Sequence, residues 1–234
     1  MRGLLYKEFV VIKSWLWVLL VFQVVVSVTC VFTGNLYGVG SETTMIHGMC
    51  YFLMFFIAGT MNAELFRNDE KPLWQCFVGS TPQGFRGQIQ SKYYMILIVN
   101  LVVFFTSFVT DCIVILLLND VESSAISLVY LIFCVILIGN AIELPFLVRF
   151  GSANGLNIKL CMIVVVPVLV GLYMLFGDIS MFLEDDFVTV IEKIFSTTTA
   201  LWIQALIPFV TIGLYYGSYR LSLKLYRKGA EINE

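Results

Sequence analysis

Six stretches of this chain, residues 15–32, 45–63, 94–118, 125–147, 160–176 and 200–216, carry almost no charge. Each is roughly 17–25 residues long, the length at which an α-helix rising about 1.5 Å per residue crosses a hydrocarbon core of about 30 Å. Backbone N–H and C=O groups have no water to bond inside lipid, so runs of this length predict helices rather than strands. The composition agrees: 59% of the residues are hydrophobic and 13% charged, against about 45–50% and 25% in soluble domains. The expected fold class is an all-α membrane protein with six transmembrane helices, all in one domain, residues 1–234.

The basic residues test the count of spans independently. With the N-terminus inside, the inner segments hold Arg2, Lys7 and Lys13; Arg67, Lys71, Arg86 and Lys92; Arg149 and Lys159; and Arg220, Lys224, Arg227 and Lys228. Only Lys193 falls outside, where Glu42, Asp120, Glu122, Asp178, Glu184, Asp185, Asp186 and Glu192 collect. The asymmetry follows the positive-inside rule at every turn, and adding or removing a span would scramble it. Both termini are therefore expected in the cytoplasm. The first apolar run is longer than the h-region of a signal peptide and no Ala-x-Ala-type site follows it, so it is expected to be retained.

Between the spans, residues 1–14 read as an amphipathic elbow helix. Leu5, Phe9, Ile12 and Leu16 fall on one face, and Arg2, Lys7 and Lys13 can reach headgroups. Residues 186–198 have a second apolar face, Phe187, Val190, Ile191 and Ile194, but are too short to span, and are expected to form an outer amphipathic helix. The inner segment 64–92 divides into parts. "ELFRNDEKP" leaves span two and reaches Pro72, "LWQCFV" offers Leu73, Trp74 and Phe77 on a short helix, "STPQGF" makes a turn, and "RGQIQSKYY" restarts a helix into span three. Aromatic anchors flanked by charges have the composition of an interface hot spot, though the same residues would also suit the headgroup belt.

Few polar groups enter the spans. Asp111 lies about two turns inside the outer end of span three, and Glu143 about one turn from the inner end of span four. With Asn100 and Asn140 they are the candidates for a polar translocation path. For Glu143 the plainer expectation is snorkelling or pairing with Arg149, and for the asparagines it is interhelical hydrogen bonding. Pro167 and Pro208 are expected to kink spans five and six. Five of the six cysteines lie in or at the ends of spans, Cys76 lies in the inner loop, and His47 is the only histidine. No CxxC or metal-ligand spacing occurs, so the cysteines read as small packing residues and no metal site is expected.

The pattern "DEK--W-----STP--------SKYY", from Asp69 to Tyr94, resembles the cytoplasmic loop between spans two and three of ABC exporter permeases of the ABC-2 type. "GLLYKEF" at 3–9 is similar to their N-terminal elbow, "ELPFLVRFG" at 143–151 to the end of their fourth span, and "SYRLSLKLYRKG" at 218–229 to their common ending. "PQGFRGQI" departs from the pattern, since many relatives carry a basic residue one or two places after the proline. The resemblance implies a type V exporter half that dimerises with a second copy or a paralogue in the plasma membrane, bacterial by type. It implies two copies of a separate ATPase subunit that bind ATP and Mg. It implies that Glu64, Asp69, Glu70, Lys71, Trp74 and Phe77 couple this chain to that ATPase. No nucleic-acid partner and no cofactor in this chain are expected.

The sequence holds no G-x-x-x-x-G-K-[ST] phosphate loop, so hydrolysis would fall to the partner, and this chain is expected not to be an enzyme. The function so implied is outward movement of an amphipathic or hydrophobic substrate such as a peptide. Two alternatives stay open: an accessory or immunity protein that shares the fold without transporting, and an intramembrane enzyme. The second would need catalytic groups converging at one depth, and Asp111, Glu143 and His47 are scattered.

Overall fold

A computed structural model of the chain describes residues 2–37, 41–67, 69–70, 74, 77–78, 80, 84–118, 126–176 and 198–232. Five long helices account for nearly all of them: α1 (Arg2–Tyr37), α2 (Ser41–Arg67), α3 (Gly84–Leu118), α4 (Ile126–Phe176) and α5 (Thr198–Ile232). α1 packs on α2 and α3, α2 on α3 and α4, α3 also on α4 and α5, and α4 on α5. Among the described residues, four segments are long and apolar enough to cross a membrane: Gly3–Leu36, Ile46–Arg67, Gly84–Leu117 and Ile126–Ser152. The remaining expected spans, 160–176 and 200–216, are helical and lie within α4 and α5. Residues 186–197 of the expected outer helix fall outside the described residues, and Thr198 opens α5.

The expected turn between an elbow and span one is not there. α1 is one unbroken helix of 36 residues, about 54 Å long and nearly twice the thickness of a hydrocarbon core. It is therefore longer than an ordinary crossing requires. Its buried seam runs through most of its length. Ile12, Leu19 and Val26 are buried at seven-residue spacing, led by Glu8 and followed by Cys30, a period of 3.5 that keeps one narrow stripe against its neighbours. Phe9, placed on the apolar face by the sequence, is exposed, and so are Trp17, Leu20, Val21 and Val28, as lipid-facing residues should be.

α2 is the most enclosed helix. Tyr51, Met54, Phe55, Ala58, Met61, Asn62, Leu65 and Phe66 are all buried, following the i, i+3, i+4, i+7 rhythm of a single helical face. Lipid tails are as apolar as Leu, so helices in a bilayer associate through close packing and polar contacts rather than through apolarity. α3 begins at Gly84, whose φ of 50° is left-handed, and like α1 it is long enough, at 35 residues, to leave the apolar layer. α4 is interrupted once. Gly151 has φ 81° and ψ 174°, a combination open almost only to glycine, and the chain resumes as helix from Ser152. α5 runs through Pro208 as one helix.

Candidate functional site: a buried charge junction at the inner end of the bundle

α2 ends where Asp69 N–H donates to Phe66 O (2.9 Å) and Glu70 N–H to Arg67 O (3.4 Å). That turn points the Asp69 side chain back into the bundle, where it is 6% exposed. Four charges meet there. Lys7 from α1 pairs with Asp69 and lies 3.3 Å from its neighbour Glu8. Lys92 from α3 reaches Asp69 Oδ2 at 2.7 Å and Glu8 at 3.5 Å. Lys92 also donates to the Leu65 carbonyl at the open end of α2, and Gln88, one turn earlier on α3, donates to Asp69 Oδ2 at 2.7 Å. Glu8 is fully buried and Lys92 is 2% exposed.

Two ammonium groups and two carboxylates leave the cluster neutral, and together they pin α1, α2 and α3. Charges so buried are tolerable only when each is paired and hydrogen-bonded. Burial alone would raise the Asp69 pKa. Lys92 and Lys7, helped by the Gln88 amide, outweigh that and hold it below the ordinary 3.8.

Two arms extend from this core. Trp74, one of the helical residues of the loop, lies 4.3 Å from Lys7 Nζ, ring centroid to nitrogen, and 5.4 Å from the Phe77 ring. Phe77 itself is 57% exposed. Ser80 closes this turn, its N–H (3.2 Å) and its hydroxyl (2.7 Å) both donating to Phe77 O. The second arm is Glu70, which accepts a hydrogen bond from Ser152 N–H at the break in α4. A Cβ on Gly151 would stand 3.1 Å from Glu70 Oε1, so its φ favours glycine and a larger residue would also press on that carboxylate.

Next to the core, α3 is fastened to α5. The Tyr93 hydroxyl is shared with Ser218 (2.8 Å) and Ser222 (2.7 Å), Tyr215 donates to the Tyr93 carbonyl at 2.8 Å, and Tyr219 meets the Tyr93 ring edge-on. All five helices thus converge at this end. The four quoted motifs converge with them: Lys7 and Glu8 of "GLLYKEF", Asp69 and Glu70 of "DEK", Gly151 of "LVRFG", and Ser218 and Ser222 of the tail, around Lys92 and Tyr93 of "SKYY".

A family model described as "ABC-2 family transporter protein" matches residues 3–227, and so covers all of this machinery. The chain belongs to the ABC-2 transporter family. It is a multi-pass membrane protein of a family whose membrane subunits work with an ATPase partner. Neither a curated protein nor a solved structure gives a significant match.

Of the six residues that the resemblance marks for coupling in this ABC-2 protein, Asp69 and Glu70 are engaged internally, as described above. Glu64 is half-buried and 3.7 Å from Arg67 on the surface of α2, Trp74 is half-buried, and Phe77 points outward. Lys71 falls outside the described residues. Sequence reasoning missed Glu8, Gln88 and Lys92 as members of one cluster. Lys7, expected to reach headgroups, instead faces Asp69 and Glu8. The available signal was an acid inside a basic, otherwise apolar segment, "YKEF".

The polar candidates within the spans take different partners. Glu143 does not pair with Arg149, which stands at the surface with its guanidinium 5.4 Å from the Phe150 ring. Glu143 accepts instead from Asn62 (3.3 Å), whose amide also donates to Asn140 Oδ1 (2.8 Å); Asn62 is a further residue the sequence reading missed. Asn100 is buried and donates to the Ile96 carbonyl at 2.8 Å. Asp111 is buried near Cys30 and Tyr51, close enough to act on both electrostatically. Tyr51 and Asn62 are eleven residues apart on α2, about 16 Å of helix, so the Asp111 and Glu143 groups lie at different depths. Among the described residues no group of three or more His, Cys, Asp and Glu could hold a metal.

Proposed function

We propose that this chain is the permease half of an ATP-driven exporter, with six spans and both termini in the cytoplasm. It pairs with a second copy or a paralogue, and a separate ATPase docks on the 64–92 loop. The observation that carries the reading is a path of contacts from an exposed aromatic to a buried charge cluster: Phe77 touches Trp74, Trp74 covers Lys7, and Lys7 is locked to Asp69 beside Lys92.

Closure of a docked ATPase would push on Phe77. The loop cannot absorb the push by sliding, because Asp69 is tied to α1 and α3 and Glu70 to the break in α4. The displacement therefore passes to the helices as rigid-body tilting, and packed helix interfaces convert such small shifts into discrete rearrangements. Gly151 gives α4 the one backbone joint at which its two halves can move separately. The lipid-facing, weakly charged spans fit an amphipathic or hydrophobic cargo such as a peptide.

Co-purification tests this. The chain should be isolated with an ATPase subunit when both are expressed together, and Phe77→Ala should loosen that complex while leaving thermal stability in place. A permease that holds its ATPase equally well with Phe77→Ala and with Trp74→Ala/Phe77→Ala would overturn the docking assignment.

A further inference from the structure

Between α4 and α5 lies an open groove of about 650 Å³ lined almost entirely by apolar side chains, including Ile142, Phe146 and Phe150 on one wall and Leu214 and Leu221 on the other. The α5 wall is completed by Gly213 and Gly217, and a Cβ added at either would meet nothing within 4 Å. The floor is therefore open space rather than a close helix–helix crossing, although α4 and α5 are extensively packed elsewhere.

The groove is polarised along its length. Arg149 lines it at the end nearest the charge junction, three residues before Ser152, the partner of Glu70. Arg220 and Lys224 stand three and seven residues beyond Gly217, on the same side of α5, and both are exposed. Among the described residues none of these three cations is in an ion pair; the pairs formed involve Lys7, Arg67 and Lys92. The other end, from Ile142 and Gly213 onward, is apolar.

We infer that this groove binds an anionic phospholipid, its phosphate held by Arg149 at the rim with Arg220 and Lys224 and one acyl chain lying over Gly213 and Gly217 toward the membrane interior. An unpaired guanidinium presents donors that match a phosphate in a two-pronged contact, and a slot with cations at one end and apolar walls at the other has the polarity of a lipid. A second copy of this chain is the poorer occupant. Related by a two-fold axis, it would bring its own Arg149 and Arg220 to the same depth and set like charges face to face.

The test is native mass spectrometry of the full chain in detergent, titrated separately with phosphatidylglycerol and phosphatidylcholine. The wild type should retain phosphatidylglycerol preferentially. Arg149→Gln, at an exposed position, should weaken that retention by about five-fold with little change for phosphatidylcholine, and Arg149→Lys should restore part of it. Gly217→Leu, whose side chain has room to enter the groove, should lower retention of both lipids. Equal retention of phosphatidylglycerol by the wild type, Arg149→Gln and Gly217→Leu would overturn the proposal. So would a Gly217→Leu variant that changes from dimer to monomer with its lipid retention intact, which would assign the groove to a second copy.

Discussion

The inner end of the bundle and its middle both bury polar side chains, but they are built differently. At the inner end four full charges, an amide and a backbone carbonyl meet within one cluster, and each helix-pinning group has more than one partner. Elsewhere along the spans the contacts come as smaller sets: Gln23 and Ser27 on Thr110, His47 on Thr33 and the Cys30 carbonyl, Asn62 on Asn140 and Glu143. The difference follows from what each depth can tolerate. A helix end offers unbonded carbonyls and a loop that can fold back with a carboxylate, so charges can be fully compensated there. In the hydrocarbon layer only pairs that satisfy one another locally are cheap enough, and each fastens two helices rather than several.

Breaking the cluster should therefore cost far more than breaking a mid-membrane pair. Lys92→Met leaves Glu8 and Asp69 short of their shared cation and should destabilise the protein by about 3–5 kcal/mol, read as a large fall in melting temperature in detergent. Adding Glu8→Leu to Lys92→Met should recover part of the loss, because the second change removes the stranded carboxylate. If Lys92→Met melted like wild type, the junction would not be the structural hub described here.

Gly151→Ala comes next. The backbone there costs a non-glycine residue about 1–3 kcal/mol, and the new methyl would crowd Glu70 Oε1. Adding Glu70→Ala should relieve the crowding and leave the backbone cost, so the double variant should melt above Gly151→Ala alone. Asn62→Ala, by contrast, removes interhelical hydrogen bonds of the kind worth about 0.6 kcal/mol on average within membranes. An Asn62→Ala penalty as large as that of Lys92→Met would erase the contrast between the two regions.

The smallest effect expected at neutral pH concerns protonation. The Asp69 pKa is depressed in the folded protein, so its ion pairs contribute full stability above the unfolded carboxylate value of about 4 and lose it as pH falls through the lower folded value. Melting temperature should thus be insensitive to Asp69 between pH 6 and 8 and fall on acidification below about pH 4. Asp69→Asn should be less stable at neutral pH and show a shallower acid dependence. An unchanged acid profile would place Asp69 outside the cluster.

Much of this was legible beforehand, unevenly. Four of the six apolar runs reappear as candidate spans and the other two as helix, because a lipid-crossing helix must be apolar along its own length. The motif at Asp69–Tyr94 and the glycine of "LVRFG" were visible as letters, yet their roles were not. Asp69 read as a surface contact and turned out to be buried, and Glu8 was not singled out. The sequence leaves Glu143 to snorkel or to pair with Arg149, six residues on, and in the structure it bonds to Asn62 from another helix.

What the sequence by itself determined is the all-helical membrane architecture and the family, since span length, charge asymmetry and motif order are properties of segments read one at a time. Only the tertiary structure decided which charges face inward. Lys7 and Asp69 are 62 residues apart, and Lys92 and Glu8 are 84 apart, so their fate depends on how three helices are laid against one another. A charge can be buried only where such an arrangement brings its partners to it, and no segment on its own contains that information.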